Sequence, residues 1–208
     1  MKKMEILKRV TASKVVAVVR ANSSEEAILI SEACIKGGIE AIEVTFTVDY
    51  AHEVIKALKQ KFKNQLMIGA GIVLDSETAR VAILNGADFI VSPAFDLESA
   101  KLCNRYQIPY MPGCMTITEM VRAMEAGCDI IKVFPGNAFG PSFIKAVKGP
   151  LPQINLMPTG GVSLANCKEW LNNGCVAVGV GGELTAPAKT KEYDKIAEIA
   201  RQFVEACK

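Results

Sequence analysis

The chain has 208 residues, with 24 Lys and Arg against 22 Asp and Glu, for a formal net charge of +2. That balance excludes the basic face of a nucleic-acid binder, and no apolar run approaches the roughly 20 residues that cross a bilayer, so no membrane partner is expected. Hydrophobic residues make up 50% of the chain and aromatics only 6%, so small aliphatic side chains must fill the interior, as suits parallel strands covered on both faces.

The length fits one domain, expected over residues 1–208. Met1–Arg9 is charged and mixed, without an apolar signal core behind it, and an extra amphipathic helix is predicted there. Beyond it, runs rich in β-branched residues alternate with helix-like segments. Strands are predicted at Lys14–Val19, Ala41–Thr45, Leu66–Ala70, Phe89–Val91, Ile108–Met111, Ile130–Phe134, Ile154–Met157 and Val176–Val180. Ser23-Ser24-Glu25-Glu26 and Thr116-Ile117-Thr118-Glu119 fit a capping box; Asp75, Asp96 and Ser163 are further expected N-caps. A long helix is predicted from about Glu192 to Ala206. The alternation predicts an α/β fold, a single (β/α)8 TIM barrel with an extra N-terminal helix.

The seven cysteines (Cys34, Cys103, Cys114, Cys128, Cys167, Cys175 and Cys207) are dispersed, with no C-x-x-C pair. They read as reduced thiols in the core of a cytoplasmic protein. The only histidine, His52, has no Cys or His at ligand spacing, so an ordinary surface or packing role is expected and no metal site.

An internal echo orders the strands. Gly38, Gly86, Gly127 and Gly174 each open a similar helix-to-strand turn, at intervals of 48, 41 and 47 residues, the length of two strand–helix units. A left-handed helix C-cap accounts for each glycine. The residue five after each glycine points to the same side of its strand: Glu43, Val91, Lys132 and Gly179. Barrel interiors are filled by layers of four side chains from alternate strands, so these four are expected to share a layer near the C-terminal mouth.

Two of the four are charged and opposite in sign. Lys132 lies in Ile130-Ile131-Lys132-Val133-Phe134, where alternation turns Ile131 and Val133 towards the helices and Lys132 inward. An apolar setting favours a free amine over an ammonium ion, and a free amine attacks a ketone to form an imine. Glu43, in Ala41-Ile42-Glu43-Val44-Thr45, is placed to move protons through a bound water. A buried structural Lys–Glu ion pair is the other reading of the spacing.

Met157-Pro158-Thr159-Gly160-Gly161-Val162 and Gly179-Val180-Gly181-Gly182-Glu183-Leu184 end the last two strands. Glycines there let backbone N–H groups approach an anion, and these loops are the usual phosphate site of barrels; tight turns alone are the alternative. Arg20 shares a strand face with Val16 and Val18, so it either reaches the mouth to grip an anion or is a solvated surface residue.

The ordered set Glu43-Val44-Thr45-Phe46-Thr47, Gly69-Ala70-Gly71, Ser92-Pro93, Met111-Pro112-Gly113, Lys132-Val133-Phe134-Pro135-Gly136, Gly140-Pro141, Pro158-Thr159-Gly160-Gly161-Val162 and Val178-Gly179-Val180-Gly181 resembles the 2-keto-3-deoxy-6-phosphogluconate (KDPG) and 4-hydroxy-2-oxoglutarate (KHG) aldolases over essentially the whole chain. The resemblance implies a class I aldolase, a carbon–carbon lyase without cofactor or metal, usually a homotrimer, whose partner is a small 2-keto acid. It implies the Schiff base at Lys132 and proton transfer at Glu43. Substrate contacts are implied for Thr45, Gly71, Pro93 and Phe134, with distal-end binding at Thr159, Gly160, Gly161, Gly181 and Gly182. KDPG cleavage would give pyruvate and glyceraldehyde 3-phosphate; KHG cleavage would give pyruvate and glyoxylate.

The chain departs from the family pattern at three places. Thr47 stands where many members carry an arginine, a role that Arg20 is expected to take over. Ile72 follows Gly71 where a threonine is common, and Gly182 replaces a serine, with acidic Glu183 beside it. A phosphate-binding barrel isomerase or epimerase, and a non-catalytic sugar-phosphate binder, are the rival readings of the same two loops.

Overall fold

The computed structural model describes all 208 residues, Met1 to Lys208. Nine strand segments alternate with helices: β1 Val15–Val19, β2 Ala41–Thr45, β3 Met67–Gly71, β4 Phe89–Val91, β5 Tyr110–Met111, β6 Gly113–Cys114, β7 Ile131–Val133, β8 Leu156–Pro158 and β9 Val178–Val180. Every pairing is parallel, as helical crossovers require. The strands run in the orders β5-β4-β3-β2-β1-β9 and β6-β7-β8. At one junction β5 and β6 are separated only by Pro112, which lacks the N–H the ladder would use. At the other, Thr159 bridges in parallel to Gly179, and Val176 N–H donates to the Leu156 carbonyl at 3.0 Å. The outcome is an α/β fold with a parallel sheet curled like a barrel wall. No helix is long and apolar enough to cross a membrane.

Strand alternation splits the core in two. Outward residues such as Ile42, Val44, Ile131 and Val133 pack against the helices in a cluster of 51 buried residues. Inward residues, among them Val16, Ala41, Met67, Phe89, Ile130 and Met157, form a separate cluster of 11. Ile6 and Val10 of the helix Lys2–Ser13 complete that cluster and close the end of the sheet where the strands begin. Burying such a side chain contributes about 1.5–3 kcal/mol, so the N-terminal helix is held by its apolar stripe. Gly69 has no side chain where the Phe89 ring lies. Nearer the strand C-termini the inward positions change character. Glu43, Thr45, Gly71, Gly113, Lys132, Thr159 and Gly179 are polar or lack a side chain, and the interior opens there.

Local chemistry accounts for the elements and for several shifted boundaries. Thr116 and Glu119 form the complete capping box. Ser23 accepts from Glu26 N–H, but the Glu26 carboxylate turns to Asn22 N–H at 2.6 Å, so that box is half made. Asp75 and Asp96 cap as expected. Ser163 does not: the helix Cys167–Asn172 is preceded by Asn166, whose side-chain Oδ1 accepts from Ser163 N–H at 2.9 Å. Gly160 and Gly161, at φ of 89° and 74°, lengthen the turn, and the chain enters the helix late.

Lys14 lies outside β1 because it ends the preceding helix in the left-handed region, at φ 58°. The strand expected at Ile108–Met111 is shorter, at Tyr110–Met111, and a further segment that was not expected, Gly113–Cys114, follows Pro112. The segments expected at Leu66–Ala70 and Ile154–Met157 sit further along, at Met67–Gly71 and Leu156–Pro158; those at Ile130–Phe134 and Val176–Val180 are shorter, at Ile131–Val133 and Val178–Val180. The closing helix is Tyr193–Ala206.

Candidate active site

Lys132 sits in the middle of β7, opposite Gly113 of β6 and Met157 of β8. Glu43 sits in the middle of β2, opposite Val18 and Gly69. Both point inward, and Lys132 Nζ lies 3.7 Å from Glu43 Oε1 with the two side chains only 4% and 1% exposed. The centre of the Phe134 ring lies 4.9 Å from Lys132 Nζ, so the aromatic face is the amino group's second neighbour. Glu43 Oε2 is buried without a hydrogen-bond partner, so this carboxylate keeps unused acceptor capacity inside the cavity. Gly71 makes the arrangement possible, because a Cβ there would overlap the Glu43 carboxylate. The expected layer is present: Val91 belongs to the inner cluster, and Gly179 gives way to the Thr159 hydroxyl.

A cavity of about 140 Å³ opens next to Phe134, whose ring faces Lys132; neither Lys132 nor Glu43 lines it. Arg20 and Val18 line it from the end of β1, with Phe134 and Thr159 below and Gly160, Gly161, Gly181 and Gly182 along its rim. Thr159 Oγ1 is buried and unpartnered, a second free polar atom facing this region. The rim is fixed by hydrogen bonds to its carbonyls: Gly136 N–H donates to the Thr159 carbonyl at 2.8 Å, and the Asn166 side-chain amide donates to the Gly161 carbonyl at 2.8 Å. Arg20 enters none of the seven ion pairs, so its charge is free for a ligand. Glu183, which the sequence sets beside these glycines, does not line the cavity; its carboxylate accepts from Leu164 N–H at 3.1 Å. Thr47 shares an adjoining cleft with Arg20, and its hydroxyl is bonded to Thr45 Oγ1 at 3.1 Å.

The residues singled out from sequence therefore fall into two neighbouring groups. Thr45 and Gly71 stand around Glu43, while Arg20, Phe134, Thr159 and the four glycines enclose the cavity. Pro93 lies apart from that cavity, with its carbonyl where a Gly113 side chain would be. Val18 and Val162 were not foreseen as cavity walls; Val18 was detectable as the inward neighbour of Arg20, two residues away on the same face. A buried amine beside a carboxylate with spare acceptor capacity can serve as a nucleophile and its proton carrier, and a glycine rim with a free arginine can hold an anion.

Comparison with known proteins agrees with this chemistry. The family model described as KDPG and KHG aldolase matches residues 6–200. The chain is 33% identical over 197 residues to 2-dehydro-3-deoxy-6-phosphogalactonate aldolase of Escherichia coli (strain K12), covering 94% of this chain and 95% of that one. It is 32% identical over 202 residues to the KHG/KDPG aldolase of the same organism, covering 95% and 94%. The crystal structure of KDPG aldolase from Legionella pneumophila, with pyruvate captured as a covalent carbinolamine, superposes with a TM-score of 0.86 at 29% identity, covering 92% of this chain and 94% of that one. The chain belongs to the KDPG and KHG aldolase family.

Proposed function

We propose that the protein is a class I aldolase, a carbon–carbon lyase that cleaves 2-keto-3-deoxy-6-phosphogluconate to pyruvate and glyceraldehyde 3-phosphate and also accepts 4-hydroxy-2-oxoglutarate. The observation that carries this is the buried Lys132–Glu43 pair, 3.7 Å apart, next to a glycine-rimmed cavity holding an unpaired arginine.

The Lys132 amine attacks the C2 ketone, and the carbinolamine hydroxyl takes a proton from Glu43 and leaves as water, giving a protonated imine and the Glu43 carboxylate. The C4 hydroxyl gives up its proton to Glu43 through a water as the C3–C4 bond breaks. The bonding electrons flow into the imine, the aldehyde departs, and an enamine of pyruvate remains on Lys132. Protonation at C3 and hydrolysis of the imine release pyruvate and restore the amine. Arg20, Thr159, Gly160, Gly161, Gly181 and Gly182 bind the distal anionic end; Thr45, Gly71, Pro93 and Phe134 shape the keto-acid end.

The same proposal takes residues 1–208 as one (β/α)8-barrel domain, with β5 and β6 as its fifth strand and Lys2–Ser13 as the extra helix; the two inter-sheet links support closure. It takes the protein to be a cytoplasmic homotrimer. Seven free buried thiols support the compartment, and the exposed Leu74, Leu97, Met115 and Ile117 supply apolar surface for association. The direct test is pyruvate release, followed through lactate dehydrogenase, from the 6-phosphogluconate-type substrate, its C4 epimer and 4-hydroxy-2-oxoglutarate. Release from the first above the other two supports the proposal; release from none contradicts it.

A further inference from the structure

Tyr110 lies on β5, across the curled sheet from the anion cavity, and its side chain is buried in the outer core. Its hydroxyl shares a hydrogen bond with Ser92 Oγ at 2.7 Å, accepts from Asp96 N–H at 3.2 Å and donates to the Ala94 carbonyl at 3.2 Å. Ser92 Oγ also lies against the Ala94 carbonyl, and its single proton serves either that carbonyl or the phenol oxygen. One phenol thus gathers the turn that leads from β4 into the helix Leu97–Arg105. Burial pushes its ionisation well above the ordinary range, which keeps it a neutral donor.

That turn is tied to the strand beside the nucleophile. The Ser92 carbonyl accepts from Gly113 N–H at 2.9 Å, and the Pro93 carbonyl fills the space a Gly113 side chain would need. Gly113 is the register partner of Lys132, whose own N–H donates to the Pro112 carbonyl at 2.9 Å. None of the residues lining the anion cavity comes from the Ser92–Gly113 wall.

We propose that Tyr110 is a positioning residue: its hydroxyl holds the Ser92–Asp96 turn against Gly113 and so sets the keto-acid end of the Lys132 site without touching the anion end. This rests on the aldolase reading above.

The test compares wild type, Tyr110→Phe, Ser92→Ala and the double variant, well below their unfolding temperatures. The readouts are borohydride trapping against pyruvate concentration, KM and kcat for cleavage, and inhibition by inorganic phosphate. Loss of hydrogen bonds at one end should raise the half-saturating pyruvate concentration and KM roughly 5–50-fold, with phosphate inhibition within about twofold of wild type. The double variant should lose less than the product of the single effects, because both act through one turn. Ser92→Ala carries the test alone if Tyr110→Phe does not fold. Unchanged pyruvate dependence, or an equal weakening of phosphate inhibition, overturns the proposal while leaving the aldolase reading intact. A wild-type protein that traps no pyruvate overturns both.

Discussion

Gly71 and Glu43 stand on adjacent strands, and the carboxylate of Glu43 occupies the space that a side chain at position 71 would fill. The proposed acid–base group therefore owes its place to an absent methyl group as well as to its own strand. Gly71→Ala is expected to displace the carboxylate and lower kcat roughly 10²-fold, while overpacking costs about 1–3 kcal/mol of stability. Steady-state cleavage and urea unfolding of one preparation separate the two effects.

Glu43→Gln keeps the shape of the side chain and removes its ability to take a proton. Turnover should fall by about 10²–10⁴-fold, while pyruvate still forms an adduct with Lys132. Turnover near wild type would remove Glu43 from the mechanism.

Arg20 is the unpaired cation at the anion cavity, so Arg20→Ala should raise KM for a phosphorylated substrate roughly 10–100-fold, the size of a lost charged hydrogen bond. It should change KM for pyruvate in the reverse reaction little, because pyruvate does not reach that end. Equal effects on both would show that Arg20 acts on the whole site.

Burial pushes the Cys34, Cys103, Cys114, Cys128, Cys175 and Cys207 thiols from an ordinary 9.0 up to about 12. Since the thiolate is the reactive form, a thiol reagent at pH 8 should label the native protein slowly and all seven cysteines promptly in guanidinium. The same shifts set a pH dependence. Between about 9 and 12 the unfolded chain binds fewer protons than the native one, so this contribution is complete below pH 9 and lost as the pH rises. Urea midpoints at pH 8 and pH 10.5 should fall in that order.

At the opposite end of the strands, Asp88 is buried against Lys59 at 2.7 Å and also accepts from Ile68 N–H at 3.1 Å. Lys59→Met leaves that carboxylate without its counter-charge and should cost on the order of 3 kcal/mol of stability. Cleavage by the fraction that stays folded should be unchanged.

The sequence made the main strands and the central pair legible because both depend on short-range periodicity. Four similar turns put Glu43 and Lys132 at the same register, and alternation along Ile131-Lys132-Val133 turned the amine inward. What it hid were relations between strands. Nothing local to Gly71 says that Glu43, 28 positions earlier, fills its side-chain space, and nothing near Tyr110 says that its hydroxyl gathers Ser92, Ala94 and Asp96. Glu183 read as an acidic neighbour of the anion site until its bond to Leu164 N–H turned it away. Pro112 could have signalled the interrupted fifth strand, since a proline lacks the donor that a continuous ladder needs.

The central claim is that Lys132 forms the covalent intermediate. The most direct measurement is borohydride reduction in the presence of pyruvate, followed by intact mass and peptide mapping of wild type, Lys132→Ala and Lys132→Arg. One reduced pyruvate adduct per chain on Lys132, absent from both variants, is the expected result, because a guanidinium stays protonated and cannot form the imine. A folded wild-type protein that gains no mass in excess pyruvate, or a Lys132→Arg variant with full cleavage activity, would contradict it.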